Sequence, residues 1–458
     1  MSGSNRLGTD NIKKLLFELS VPSIVSMIIT ALYNLVDRYF IGIATGTVGL
    51  AGVTVVFPYV LLCLAFLNMI STGATSLISF AIGENDKERA ELILGNTFTM
   101  ILIVSGIVTF ASLFFLDDVL RLLGASPDVL PVAKQYFEII VMGTVFLGIS
   151  FVLSSCMRGE GNAMLSMLPM VVGGVLNVIL APLFIFHFNL GIRGGAYATV
   201  LAQIIASILA IYIFSTRKSD LRLHFKNLKP QFKILWNITE IGASQFFLQF
   251  GTCFVTVLYN RLLLQYGDQL RVGYGDIAVS AMGTVNNIAS VVYMPIFGIG
   301  QGLQPIIGYN YGAGRYDRVK EGLIKAYFFS AVILSVGFIV CEIFPEYIVS
   351  LFNNKDIEFI KLATRATRIV FLVYPLIGFQ MISSTYFQAI GKPKSATIVS
   401  ISRQVFALVP AVIIMPLIWG LNGLLFAAPV ADLLSTLITA IFIYYEMQHL
   451  NSKIKASN

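Results

Sequence analysis

The chain has 458 residues, 57% of them hydrophobic and only 12% charged, with a formal net charge of +7 and a mean hydropathy of +0.82. Soluble domains carry about 25% charged residues, so the composition excludes a water-soluble globular protein and indicates a polytopic helical membrane protein. The positive charge is spread too thinly for a nucleic-acid binder, and three histidines without a cluster of ligand-type residues argue against a metalloenzyme.

The opening "MSGSNRLGTDNIKKLLFELSVP" reads as a polar start and a basic amphipathic lead into the first span, with no cleavable leader in view. A helix needs about 20 apolar residues to cross the hydrocarbon. Twelve segments qualify, near 15–43, 48–82, 92–116, 131–157, 163–187, 193–216, 236–265, 277–312, 321–345, 360–390, 394–419 and 421–448. An even number puts both termini on one side. With that side cytoplasmic, most of the 31 basic residues fall in inner segments, including Arg6, Arg89, Arg158, the run from Arg217 to Lys233, Lys392, Lys394 and Arg403. The positive-inside bias therefore predicts cytoplasmic N- and C-termini. Cys63, Cys156, Cys253 and Cys341 lie singly in or beside apolar segments and read as buried reduced thiols.

Span one closes with "YNLVDRYFIG" (33–42), which carries Asp37. A carboxylate in hydrocarbon is costly unless it is neutral, paired or facing water. Asp37 also lies 22 residues past Leu15, about 33 Å along a helix, so it reaches the outer interface and could be solvated there beside Arg38. From these residues alone both readings stand.

The longest polar connection, "STRKSDLRLHFKNLKPQFK" (215–233), follows span six and divides the chain into an N-lobe (1–214), a linker (215–234) and a C-lobe (235–458). The halves resemble each other. "TGATSLISFAIGENDKERA" (72–90) lies over "QGLQPIIGYNYGAGRYDRV" (301–319) at a shift of 229, and "LGIRGGAYA" (190–198) over "WGLNGLLFA" (419–427) at the same shift. Six spans per half enter the membrane in the same direction, so the halves should be related by a pseudo-two-fold axis along the membrane normal. Parallel-repeat transporters are built this way, with the two bundles rocking around a central cavity. A membrane-embedded transferase would need a paired Asp-rich motif or a histidine on a catalytic-looking span; His187 and His224 fall at a span end and in a loop. A channel has less need of the repeat.

Pro22, "YNLVDRYFIG", "GIGQGLQPIIGYNYGAG" (298–314) and "NLGIRGGAYAT" (189–199), in this order across twelve spans, resemble the multidrug and toxic compound extrusion (MATE) family. The resemblance covers essentially the whole chain. It implies an antiporter, not an enzyme, with no cofactor. Small amphipathic, often cationic, drugs would move outward against inward H⁺ or Na⁺, through a cleft between two six-helix lobes of a monomer in the lipid bilayer. Lipid-linked precursor flippases of the same superfamily are the alternative it leaves open.

The resemblance also implies a polar N-lobe site. Asp37 matches the family's span-one aspartate, and Asn177 in "LNVILAPLFIF" (176–186) matches the span-five asparagine. Thr199 matches the span-six threonine, and Ser154 falls where a span-four polar residue is expected. The family's second aspartate is absent: Ala181 stands there, either as this homologue's own residue or as an introduced change. Asn177 and residue 181 share a helical face, and an asparagine offers both donors and acceptors to a carboxylate. Two carboxylates would hold a cation or share a proton. One alone suits proton carriage better than Na⁺ chelation, with Na⁺ at Asp37 and Asn177 as the weaker alternative. Taken singly, Asn177, Ser154 and Thr199 read as interhelical hydrogen-bonding or packing residues.

The C-lobe differs. Some relatives place carboxylates within spans seven and ten, but here both are free of acids apart from Glu240 at the inner end of span seven, so that Na⁺ site is not expected. Asp432, well inside span twelve, reads equally as a packing residue beside Pro429 and as a proton- or substrate-linked group. Gln245, Gln249, Gln301, Gln304 and Gln380 are candidates to line the cavity without fixed charge, and the chain's Phe, Tyr and Met supply adaptable walls.

Overall fold

The computed structural model describes residues 3–216, 218–354 and 356–457; Arg217, counted above among the linker cations, and the extreme ends of both lobes lie outside the described residues. Among the described residues all regular structure is helical. Spans one to six are Ile12–Gly46, Val48–Gly83, Lys87–Phe114, Leu130–Gly159, Ala163–His187 and Gly191–Ser215, and spans seven to nine are Phe232–Leu270, Tyr274–Gly312 and Tyr316–Ile343. Span ten is broken: Ile357–Phe371 and Tyr374–Ala389 meet at 54°, where 360–390 reads as one continuous segment in the sequence. Pro375, in the first turn of the second piece, has no N–H to donate, and its ring would collide with the carbonyl four residues back.

Pro393–Ala456 runs 64 residues, about 96 Å at 1.5 Å per residue and three bilayer cores long. It is two spans that turn at Gly420, whose φ of 55° and ψ of −137° leave the helix. Gly46 makes the same turn between spans one and two, at φ 66° and ψ −157°. A Cβ disfavours this left-handed half of the map. Twelve spans result.

The repeat is written into the backbone. Left-handed φ values recur at Asn85 (61°) and Gly314 (70°), at Gly161 (84°) and Gly391 (69°), and at Gly191 (54°) and Gly420 (55°), pairs 229 or 230 residues apart. Two further glycines sit at the crossing of spans two and eight. A Cβ on Gly83 would lie 2.1 Å from the Tyr309 carbonyl oxygen, and one on Gly312 would lie 2.4 Å from that of Phe80. Both pairs keep the same offset of 229, so the crossing is pseudo-symmetric.

Among the described residues, the hydrogen bonds joining one half to the other lie on the linker side. Gln304 Nε2 donates to the Thr72 carbonyl (3.0 Å) and to Ser76 Oγ (2.8 Å). A short helix, Gly3–Thr9, precedes span one, and its end is bound by the other half. Asn310 Nδ2 and Arg318 Nη2 donate to the Leu7 carbonyl, Arg315 Nη1 to that of Gly8, and Arg318 Nη2 also to that of Asp10. Leu7, Ile12, Leu15, Leu16 and Leu19 are buried in the apolar core of spans seven to twelve. The amphipathic lead is therefore a strap across the two halves.

The linker packs on the first half through the turn Phe225–Leu228. Asn96 Nδ2 donates to the Asn227 carbonyl, Thr99 Oγ1 to that of Leu228, and Gln231 N–H to Asn96 Oδ1. Just past span four, Glu160 is buried and accepts from Ser219 Oγ and Asp220 N–H. Burial pushes the Glu160 carboxyl up to about 8, although both donors favour its charged form. The cysteines carry free thiols; Cys63, Cys156 and Cys341 are buried, but Cys253 is exposed on span seven, which corrects the expectation of four buried thiols.

Candidate functional site

A cavity of about 1100 Å³ lies between the halves and takes its walls from both. Asp37 is on its wall, only 7% exposed. Two contacts fix its neighbours. A Cβ on Gly195 of span six would lie 3.5 Å from Asp37 Oδ1, and one on Gly174 of span five would lie 3.5 Å from the ring of Tyr33, the residue one turn before Asp37. Thr199 is one turn beyond Gly195, and Asn177 one turn beyond Gly174, on the same helical faces. Asn177 Nδ2 donates to Thr199 Oγ1 at 2.9 Å. Asp37, Asn177 and Thr199 thus converge, as the sequence suggests.

Asp37 Oδ1 and Asn177 Oδ1 are both buried without a hydrogen-bond partner. Two acceptors with no donor in low dielectric carry an uncompensated desolvation cost. A proton or a cation supplies what both lack. Arg38 does not: its guanidinium lies 4.8 Å over the Phe57 ring, and its side chain is exposed. The cluster fits a Na⁺ ion through Asp37, Asn177 and Thr199 oxygens, and fits a proton through the first two. Among the described residues, no group of three or more His, Cys, Asp or Glu is placed to hold a metal.

Ser154 does not join this cluster. Tyr136 is the span-four residue within electrostatic reach of Asp37, and Ser154 lies 18 residues further along the same helix, about 27 Å towards the linker side. It is fully buried and its Oγ lacks a partner. Ala181 is also fully buried, in an apolar cluster with Ile41 and Ile185. Pro182 ends the regular α-helix there, and a π-helical stretch, Leu183–His187, continues the span.

All five expected glutamines, Gln245, Gln249, Gln301, Gln304 and Gln380, line the cavity. Only three of the 35 phenylalanines do, against six of the 19 tyrosines, so the aromatic wall is largely hydroxyl-bearing. Asp432 stands behind the wall, 1% exposed and ion-paired to Arg403. Arg403 corrects the sequence reading: instead of belonging to an inner segment, it lies inside span eleven and faces the cavity. It sits on the π-helical stretch Ser402–Leu408, a local unwinding often found at functional sites. Arg403 Nη2 donates to Tyr293 OH at 3.3 Å, and the Tyr293 and Tyr374 rings stack at 5.0 Å. The missed signal was available. Arg403 and Asp432 are lone opposite charges about 25 Å and about 18 Å from the Gly420 turn along consecutive antiparallel spans, a gap an arginine side chain closes.

Comparison with known proteins places this architecture. The profile of the family described as MatE matches residues 22–183 and 268–413. The multidrug export protein MepA of Staphylococcus aureus (strain MSSA476) is 25% identical over 437 residues, covering 94% of this chain and 93% of that protein. MepA of Staphylococcus haemolyticus is 26% identical over 447 residues, covering 98% and 96%. Among solved structures, a MATE protein in a bent conformation superposes with a TM-score of 0.91 at 24% identity, covering 100% of this chain and 99% of that one.

Proposed function

The chain belongs to the MatE family, whose members are transporters and not enzymes, and we propose that it is a secondary antiporter of the inner (plasma) membrane. It exports amphipathic organic molecules, cationic drugs and toxins among them, in exchange for H⁺ by alternating access, with its termini in the cytoplasm. The relatives named as multidrug exporters support the cargo class. The N- and C-halves, 1–214 and 235–458, are the rocking bodies, and the chain acts as a monomer.

The observation that carries the reading is the pair of buried, donorless oxygens, Asp37 Oδ1 and Asn177 Oδ1, on the wall of a cavity shared by both halves. In the empty transporter that pair attracts either a proton or the cationic group of a substrate, and the two compete. A proton taken from the outer side satisfies the pair and releases the cargo. Its loss on the inner side restores the acceptor for the next molecule. Na⁺ is the alternative coupling ion at the same oxygens; a single carboxylate favours the proton.

Reconstitution into liposomes tests this. Uptake of a fluorescent organic cation is followed under an imposed H⁺ gradient and, separately, an imposed Na⁺ gradient, for the parent and for Asp37→Asn. The reading expects H⁺-driven transport that Asp37→Asn abolishes. Transport driven by Na⁺ alone, or undiminished by Asp37→Asn, overturns the proton assignment.

A further inference from the structure

The two walls of the cavity differ in what they lack. On the N-half wall the unpartnered atoms, Asp37 Oδ1 and Asn177 Oδ1, are acceptors. On the C-half wall the unmatched groups are donors, with one unpartnered acceptor, Asp432 Oδ2, behind them. Tyr374 lines the cavity, is 1% exposed, and its OH has no hydrogen-bond partner. Arg403 spends Nε on Asp432 and Nη2 on Tyr293 OH, which leaves the Nη1 edge of the fork uncommitted. Tyr293 OH accepts that bond and keeps its own hydrogen to give. Among the described lining residues the charged ones are Asp37 and three arginines, Arg38, Arg158 and Arg403. Even with Asp432 counted behind Arg403, the cavity as a whole is not acidic.

Resting on the export reading above, we propose that Arg403, Tyr293 and Tyr374 form a carboxylate subsite, so that the cavity takes zwitterionic amphiphiles with the cationic end towards Asp37 and the carboxylate on the C-half wall. A guanidinium edge and a carboxylate match in plane and spacing, and charge-assisted hydrogen bonds of this kind are about twice as strong as neutral ones. Asp432 holds the guanidinium in place from behind; its role is positioning. The stacked rings of Tyr293 and Tyr374, both on the cavity wall and 5.0 Å apart, give a benzoate-like group a flat border, and Phe371 backs Tyr374 at 4.0 Å from behind the wall. An arginine on a π-helical stretch of a membrane span is costly unless it is used, and its ion pair alone does not require it to face the cavity.

The test uses the full chain in lipid nanodiscs and two dyes read by fluorescence anisotropy: a xanthene with a free benzoate (a zwitterion) and its methyl ester (a cation). The parent is expected to bind the free acid about ten-fold or more tightly than the ester, the worth of one charge-assisted bond. Tyr374→Phe should shrink that preference severalfold and leave the ester within about two-fold, since it removes a single donor. The double variant Arg403→Gln with Asp432→Asn, which strands no buried charge, should abolish the preference. Arg403→Lys should fall between, because an ammonium keeps the charge and loses the fork. The subsite is overturned if the double variant keeps the preference, or if both dyes weaken equally in Tyr374→Phe. If neither dye binds the folded parent, the drug-binding reading itself fails and the subsite with it.

Discussion

Replacing Gly83 with alanine should loosen the closure on the linker side. The new Cβ would sit 2.1 Å from the Tyr309 carbonyl oxygen and 2.9 Å from its carbonyl carbon. Carbon atoms settle at about 3.5–4.0 Å from their neighbours, so spans two and eight must part by about 1.5 Å at this crossing. The obstacle is backbone, which has no rotamer to escape into. Overpacking of this kind costs about 1–3 kcal/mol. On the alternating-access reading proposed above, the cost falls on the closed arrangement alone, because the contact vanishes once the two ends separate. At about 1.4 kcal/mol per factor of ten, the closed-to-open ratio drops roughly 5- to 150-fold. Glu88 and Asp317 are exposed at the starts of spans three and nine and take spin labels on introduced cysteines in a Cys253→Ser background. The distance distribution between them should broaden to longer values in Gly83→Ala. Gly106, which has nothing within 4 Å, provides the control as Gly106→Ala. Identical distributions in the two variants would refute the steric argument.

Two further outcomes follow from buried polar groups. Ala181→Asp sets a second carboxylate one turn from Asn177, in an apolar cluster; the variant should melt several degrees below the parent in Na⁺-free buffer and regain most of that loss on adding Na⁺, a rescue the parent does not show. Melting curves with Na⁺ against choline decide it, and an equal response of both proteins would count against a cation site there. Glu160 carries the linker's pH dependence: its folded pKa of about 8 stands above the ordinary value of 4.5, so its contribution is complete below about pH 4.5 and is lost as pH rises through about 8. Glu160→Gln should therefore melt with the parent near pH 5 and several degrees above it near pH 9; parallel curves would exclude Glu160 as the cause.

The sequence carries much of this molecule because hydrocarbon imposes a length on every helix. Span five is delimited in the sequence at 163–187, and it is Ala163–His187 in the structure; most other ends agree to within about five residues, while span twelve runs to Ala456 instead of 448 and span ten is broken. Asp37 stands out as a carboxylate in an apolar run, whereas Asn177 and Thr199 are legible only through their joint match to the family pattern, since a lone asparagine or threonine in a span is an ordinary packing residue. Ser154 fails because resemblance gives a span but not a depth, and 18 residues of helix separate it from the level of the site. Arg403 fails for a different reason. Counting Lys and Arg for topology treats each as a loop residue near the interface, and that rule is blind to a buried arginine with a partner 29 positions away. The strap is also invisible to periodicity, since its bonds run between carbonyls at residues 7 to 10 and side chains more than 300 residues later.

That strap has a consequence for how the protein is made. The carbonyls of Leu7, Gly8 and Asp10 are synthesised well before the groups that bind them, since Asn310, Arg315 and Arg318 follow 303 to 311 residues behind their targets. At about 5–20 residues per second, roughly 15–60 seconds pass before the partners exist. Throughout that interval the N-terminal segment has no docking site, and Leu7 stays unburied. The segment before span one is thus made long before it reaches its native contacts, which form only after the ninth span has begun to emerge.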